Sequence, residues 1–362
     1  MKKVVFLSGH FFNSERKAGF HFLAKAFKNK GFKVVFITSR LSLLSFLRRD
    51  RIINEKGFKK NIVSPSFFEG VKSIINVSVF APVSRNSKLL DYFATFFFRL
   101  NKASVKEICD SEYVIFESVS SIMFFDKIKT ISPKATLIYR MSDDLESQNA
   151  PEMVLKYEKK IIKIFDLVSV PTKVMFDKFI KLSPNNVKLL FHGIDKENYD
   201  AQNVSPYSKD VNHVFVGNSN LDHQFVDIAS TLFKEHWFHI IGNFEPIVKN
   251  NNVIYYGHMP FKKTIPYVRF ATTGLQNRSN EYGVAKTLSD SLKVLQYSYC
   301  KLPIIAPKII LASHRKNFFY YDDKDENSIK RCFEQALNFD KGKFEVVCNS
   351  WDEVVVELIN NN

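Results

Sequence analysis

Cysteine is scarce and scattered. The four thiols, Cys109, Cys300, Cys332 and Cys348, form no C-x-x-C pair and no metal-ligand spacing with histidine. That pattern predicts reduced thiols, no bound metal and a reducing compartment. Long apolar runs are missing as well. No segment approaches the roughly 18 apolar residues that span a bilayer, so the chain is expected to be soluble or to lie on a membrane surface. The opening MKKVVFLSGHFF imitates a signal peptide, but its apolar stretch is short and His10 interrupts it; it reads better as a buried first strand. Neither first strand-to-helix turn carries G-x-G-x-x-G, which argues against a nucleotide-sugar dehydrogenase. Acidic residues are in deficit: 37 Asp and Glu stand against 52 Lys and Arg, a formal charge of +15. Such a charge favours an anionic partner: nucleic acid, anionic lipid or a phosphorylated substrate. A nucleic-acid-binding protein would need a recognisable binding module, and none is found.

What is present is a regular alternation. VVFLS (4–8), VVFIT (34–38), IINVSVF (74–80), YVIFES (113–118), TLIY (136–139) and LVSV (167–170) are β-branched or aromatic runs, with helix-length segments such as 16–30, 89–101 and 152–164 between several of them. Runs of this kind suit strands buried on both faces of a parallel sheet. The pattern restarts beyond a polar, proline-containing stretch after residue 200, with HVFVG (213–217), FHIIG (238–242), VIYYG (253–257), TTGLQ (272–276) and LPIIA (302–306). The expected architecture is α/β: two Rossmann-like, doubly wound domains facing a central cleft. Residues 1–198 form the first domain, 199–345 the second, and 346–362 a C-terminal helix with Val354, Val355 and Leu358 on one face. Open α/β sheets bind ligands outside the carboxyl ends of their strands, and the candidate residues are sought there.

Beyond the first strand lie Gly9, His10, Arg16 and Lys17, the last two expected to open the next helix. Cations at a helix N-terminus oppose its dipole unless an anion is near; solvated surface charge is the equal alternative. Glu117 ends its strand, and Asp143-Asp144 follow LIYRMS. Two close carboxylates resist joint ionisation, so one of them is a reasonable general base. The competing reading is capping of a short helix by Ser142 and Asp143. In the second domain, Gly217-Asn218-Ser219 ends a strand in a turn that lets backbone approach a nucleotide, and IIGN (240–243) repeats it. Ser289-Asp290-Ser291 precedes a helix whose first turn holds Lys293. A diphosphate there would gain from the lysine and the helix N–H groups; a surface lysine is the alternative.

These residues together resemble the GumK family of glucuronosyltransferases, which have the GT-B fold. The stretches that carry the resemblance are SGHFFNSERKAGFHF (8–22), YVIFES (113–118), LIYRMSD (137–143), FHGID (191–195), VFVGNS (214–219), VIYYGHM (253–259) and SLKVLQYSYCKLP (291–303). The resemblance implies an inverting transfer of a sugar, glucuronate, from a UDP-sugar to a polyprenyl-diphosphate-linked oligosaccharide in exopolysaccharide or capsule synthesis. The UDP-sugar is a co-substrate, with no cofactor and no metal. Carried over residue by residue, the base falls on Asp143 and the phosphate-binding lysine on Lys293, with Leu292 in the family's nucleotide-contacting Met position. Gly217, Asn218 and Ser219 match a donor-contacting turn, and His10, Arg16, Lys17 and Glu117 lie on the acceptor side. The donor half departs from the pattern. Arg278 stands where the family has a tyrosine, although Tyr282 is close; Glu281 is retained, and Ser289 replaces an acidic residue. These departures leave a neutral hexose or N-acetylhexosamine donor open, while Arg278 suits an acidic sugar because arginine pairs bidentately with carboxylates.

Residues 40–60 hold seven basic and two acidic side chains among Leu, Ile and Phe, and 89–102 is a second aromatic-basic stretch. Both suit a bilayer interface with anionic headgroups; for 89–102 a buried core helix is the alternative. The expectation is a peripheral protein on the cytoplasmic face of the inner membrane. A non-catalytic, basic membrane-binding protein is the rival.

Overall fold

The structure, a computed structural model, describes residues 1–81, 88–218, 221–277, 285–310 and 312–360, with the backbone alone for 88–91 and 285–287. It divides into two units, Met1–Leu190 with Trp351–Asn362, and Phe191–Ser350.

The first unit is built on β1 (Lys3–Ser8), β2 (Lys33–Ser42), β3 (Ser66–Phe68), β4 (Val71–Ser78), β5 (Tyr113–Glu117), β6 (Thr136–Arg140), β7 (Leu167–Val170) and β8 (Val187–Leu189), in the order β3-β4-β2-β1-β5-β6-β7-β8. All neighbours run parallel except β3, which is antiparallel to β4. The predicted strands all form. Helices cover both faces, so Val4 to Leu7 are fully buried and the apolar runs are continuous rather than alternating. Much of the phenylalanine goes into this core: Phe6 lies 6.0 Å from Phe20, 5.6 Å from Phe27 and 6.1 Å from Phe36, ring centre to ring centre.

The second unit has six parallel strands, β9 (Asn212–Val216), β10 (Trp237–Ile241), β11 (Val253–Gly257), β12 (Thr273–Leu275), β13 (Ile304–Pro307) and β14 (Phe318–Tyr321), in the order β11-β10-β9-β12-β13-β14.

The division falls at Leu190, earlier than the expected 198. The FHGID stretch belongs to the second unit because Ile194 bridges to Ser350 and its N–H donates to the Asn349 carbonyl at 2.9 Å. Tyr199 is also buried beside the Tyr299 ring. The last helix, Trp351–Ile359, returns to the first unit: Trp351 stacks on Phe22 at 5.7 Å. Val354, Val355 and Leu358 are its buried face.

The helix Lys88–Phe97 corrects one alternative. It is no core helix, since Tyr92, Phe93 and Phe96 are exposed.

Candidate active site

In the first unit the register sets Leu7 beside Phe116 and Glu117 beside Arg140. The carboxyl ends of β1, β5 and β6 therefore meet. Glu117 is the hub. It accepts hydrogen bonds from Ser8 Oγ (2.6 Å), the Gly9 N–H (2.9 Å) and Ser142 Oγ (2.9 Å), and His10 Nε2 lies 3.4 Å away. Burial would raise this carboxyl, but the His10 charge and the hydrogen bonds from His10, Ser8 and Gly9 outweigh it and hold it at about 2. Burial would likewise lower the His10 imidazole, and the facing Glu117 charge and hydrogen bond raise it instead.

Ser118 continues the clamp. Its Oγ accepts the N–H groups of Ser142 and Asp143, both at 3.1 Å. Asp143 is thus held by its backbone at the strand ends while its side chain is exposed. No helix begins at Ser142 or Asp143; the next one is Glu152–Ile161, entered through Pro151. The capping alternative does not apply.

The like-charge argument for the acidic pair needs correction too. Asp144 is buried and turned away into an ion pair with Lys178 (2.9 and 2.8 Å), and it accepts Ser147 Oγ at 2.9 Å. Lys178 also binds Glu146 at 2.7 Å. Asp144 is an anchor of the loop, and its charge is compensated.

Behind this anchor, buried Glu158 accepts the Tyr139 hydroxyl at 2.5 Å. Burial, with the Asp144 and Glu146 charges, raises its carboxyl from 4.5 to about 7 against the Tyr139 hydrogen bond and Lys178. A carboxyl raised on folding stabilises fully below its unfolded value, here 4.5, and that contribution is lost as pH rises through 7. Glu158→Gln keeps the acceptor without the charge. Relative to the parent it should raise stability at pH 8 by on the order of 3 kcal/mol, with little change near pH 4.5. Equal melting-temperature differences at the two pH values would refute this.

Arg16 and Lys17 do not open a helix. The helix is Gly19–Asn29, and its first turn is closed by His21, whose Nδ1 accepts the Ala18 N–H at 2.9 Å. His21 is fully buried, with Nε2 2.9 Å from the Phe11 carbonyl oxygen; burial lowers it to about 4. Lys17 Nζ donates to the Phe12 carbonyl at 2.9 Å, and burial lowers its pKa, whereas Arg16 is exposed.

In the second unit two glycine turns clasp each other. The Gly217 N–H donates to the Ile241 carbonyl at 2.9 Å, and the Asn243 N–H donates to Asn218 Oδ1 at 3.2 Å. At Gly242 (φ +151°) a β-carbon would stand 1.7 Å from the Gly217 carbonyl oxygen. Below them Phe215 carries Lys293, whose Nζ lies 3.7 Å from the ring centre, close enough for a cation–π contact. Lys293 is the second residue of the helix Leu292–Tyr299, capped by Ser291 alone, whose Oγ accepts the Val294 N–H at 3.5 Å. Leu292 is half-buried beside it.

Asp290 is no cap. It is fully buried and meets Arg315 Nη2 at 2.6 Å and His314 Nε2 at 2.7 Å. Ser219, Arg278, Glu281 and Tyr282 lie outside the described residues. Sequence reasoning missed Ser118, Lys178 and the Asp290–Arg315 pair. The repeated G-N after two strands was the available signal for Gly242.

Comparison with known proteins places this geometry. Residues 6–171 match the family model of the N-terminal domain of glucuronosyltransferase GumK. The chain is 26% identical over 361 residues, 98% of its length and 88% of the relative's, to the UDP-glucuronate:glycolipid 2-beta-glucuronosyltransferase of Xanthomonas campestris pv. campestris. Among solved structures it is similar to the sucrose-phosphate synthase of Thermosynechococcus elongatus, with a TM-score of 0.64 at 10% identity, covering 99% of this chain and 97% of that one. It is also similar to HepE of Anabaena, solved with UDP and glucose, with a TM-score of 0.60 at 10% identity and coverage of 99% and 95%. At such identities the structural likeness speaks to the fold, which is GT-B.

Proposed function

From the match of residues 6–171 to the N-terminal domain of GumK and the 26% identity to a glucuronosyltransferase, we propose that this chain is a GumK-type glycosyltransferase that moves glucuronate from UDP-glucuronate to a polyprenyl-diphosphate-linked oligosaccharide, with inversion. The observation that carries the reading is Asp143: an exposed carboxylate on a loop fastened at the carboxyl ends of β5 and β6. In this reading an acceptor hydroxyl attacks the anomeric carbon while Asp143 takes its proton. The bond from that carbon to the diphosphate oxygen breaks on the opposite face, and UDP leaves with the electron pair. Its charge is met by Lys293 and the N-terminal end of the dipole of the helix Leu292–Tyr299. No metal ion is called on.

Lys293→Ala should therefore weaken UDP binding by about 10- to 100-fold, as expected for a hydrogen bond to a charged group. Unchanged affinity by calorimetry removes Lys293 from the site.

The acceptor's lipid would bring the first unit to an anionic membrane surface, the cytoplasmic face of the inner membrane. Exposed Leu43, Leu47, Val63 and Phe67, beside the basic stretch 40–60, support this. No helix among the described residues is long and apolar enough to cross a membrane.

The deciding experiment is a donor panel with a lipid-diphosphate-linked acceptor. Turnover of UDP-glucuronate is expected. Turnover of UDP-glucose or a UDP-N-acetylhexosamine instead would establish the neutral-donor alternative.

A further inference from the structure

The first unit holds a cavity of about 990 Å³ that the proposed reaction does not use. It lies between the end of the helix Lys88–Phe97, the segment that follows β5, and the helix Glu152–Ile161. Its floor is carbon and sulfur: Phe98, Leu100, Met123, Phe124 and Met153, with Phe98 and Phe124 stacked at 4.3 Å. Its lining also carries Arg99, Lys127, Lys156 and Lys160 against two carboxylates, Asp126 and Glu152. Lys156 and Glu152 are paired at 2.6 Å. Arg99, Lys127 and Lys160 are exposed, and so are the neighbouring aromatics Tyr92, Phe93 and Phe96.

Ligand sites typically run from about 300 to 1,000 Å³ and combine an apolar lining with a few polar groups. A sugar nucleotide would leave its hydroxyls unpaired on this floor, at a cost. A neutral chain would leave the cations unused. An apolar floor under a cationic rim matches an anionic head on a hydrocarbon chain. The chain path adds a second argument: the loop that carries Asp143 runs directly into the helix Glu152–Ile161, one wall of the cavity.

We propose that this cavity seats the diphosphate and the first isoprene units of the lipid that carries the acceptor. The inference rests on the lipid-linked acceptor proposed above and adds where on the protein that lipid is held. The diphosphate pairs with Arg99, Lys127 and Lys160, while the chain covers Met123 and Met153. The hydrocarbon beyond leaves past Tyr92, Phe93 and Phe96.

Farnesyl diphosphate is the probe, titrated calorimetrically into the full chain. The parent protein should bind it at least about tenfold more tightly than pyrophosphate or farnesol, since head and chain each contribute. Met153→Trp, which fills the cavity, and Lys127→Glu combined with Lys160→Glu, which reverses the rim, should each weaken it by about tenfold or more. UDP affinity should not change, which also reports that each variant is folded; if the tryptophan variant loses UDP binding, the charge-reversed protein decides. Equal farnesyl diphosphate affinity in the parent and the charge-reversed protein overturns the proposal. So does pyrophosphate binding as tightly as the lipid, which would mark a surface anion site only. Loss of binding to phosphatidylcholine–phosphatidylglycerol vesicles with farnesyl diphosphate affinity intact overturns it as well, in favour of a membrane-docking face. The readout is binding, so its failure leaves the transferase reading standing, and a silent donor panel leaves the cavity standing.

Discussion

The Asp143→Asn protein is expected to lose transfer by about 10²- to 10⁴-fold in kcat/KM, the usual contribution of a positioned general base, and to keep its affinity for UDP. The substitution is close to isosteric. The N–H that Asp143 donates to Ser118 Oγ belongs to the backbone, so the loop keeps that anchor while the carboxylate is lost. Neighbouring carboxylates cannot take over. Glu117 is held at about 2 and receives Ser8, Gly9, Ser142 and His10, which occupies the roughly four acceptor positions of a carboxylate. Asp144 is bound to Lys178. Transfer in the asparagine variant at more than a tenth of the parent rate would remove Asp143 as the base.

Gly242→Ala should be the most damaging single methyl group in the second unit. Its β-carbon would stand 1.7 Å from the Gly217 carbonyl oxygen and 2.5 Å from the Phe244 ring. One of the two turns must move by more than an ångström, and the Asn243-to-Asn218 hydrogen bond breaks with it. Destabilisation of roughly 3 kcal/mol or more is expected from overpacking at a fixed backbone, together with loss of UDP binding if the Gly217 turn contacts the donor. Gly217→Ala is the control. Among the described residues its added carbon meets only the edge of the Phe215 ring, at 3.2 Å, so its melting temperature should fall less. Equal melting temperatures for the two variants would contradict the steric account.

The strands were legible because a parallel sheet buried on both faces writes itself as an unbroken apolar run. VVFLS and YVIFES needed nothing else. The strands that escaped notice, β3, β8 and β14, lie at sheet edges with three or four residues each, too few for a pattern to show. Helix ends were harder. The start at Gly19 was misplaced onto Arg16 because its closing group is His21, outside the usual capping set.

The acidic pair exposed the main limit. Adjacent carboxylates in a sequence look electrostatically coupled, and nothing local announces that Lys178, many residues onward, neutralises one of them. Asp290 and Arg315 repeat that lesson across a shorter interval. Side-chain pairs set by the fold leave no mark on the local sequence, whereas backbone requirements such as Gly242 leave a glycine.

The stem at Ile194 and Ser350 has a consequence for how such a chain diversifies. Where the chain enters and leaves the second unit, the two passes lie side by side, joined by the Ile194-to-Asn349 hydrogen bond. The second unit is therefore one continuous insert in the sequence of the first. The first unit is made of two separated pieces that must find each other, Trp351 against Phe22. Neighbouring ends are what make insertion and exchange of a domain tolerable. The segment from Phe191 to Ser350 is a cassette. Cut and replaced at its neighbouring ends, it would exchange the unit that we propose binds the donor while the sequence around Asp143 is unchanged.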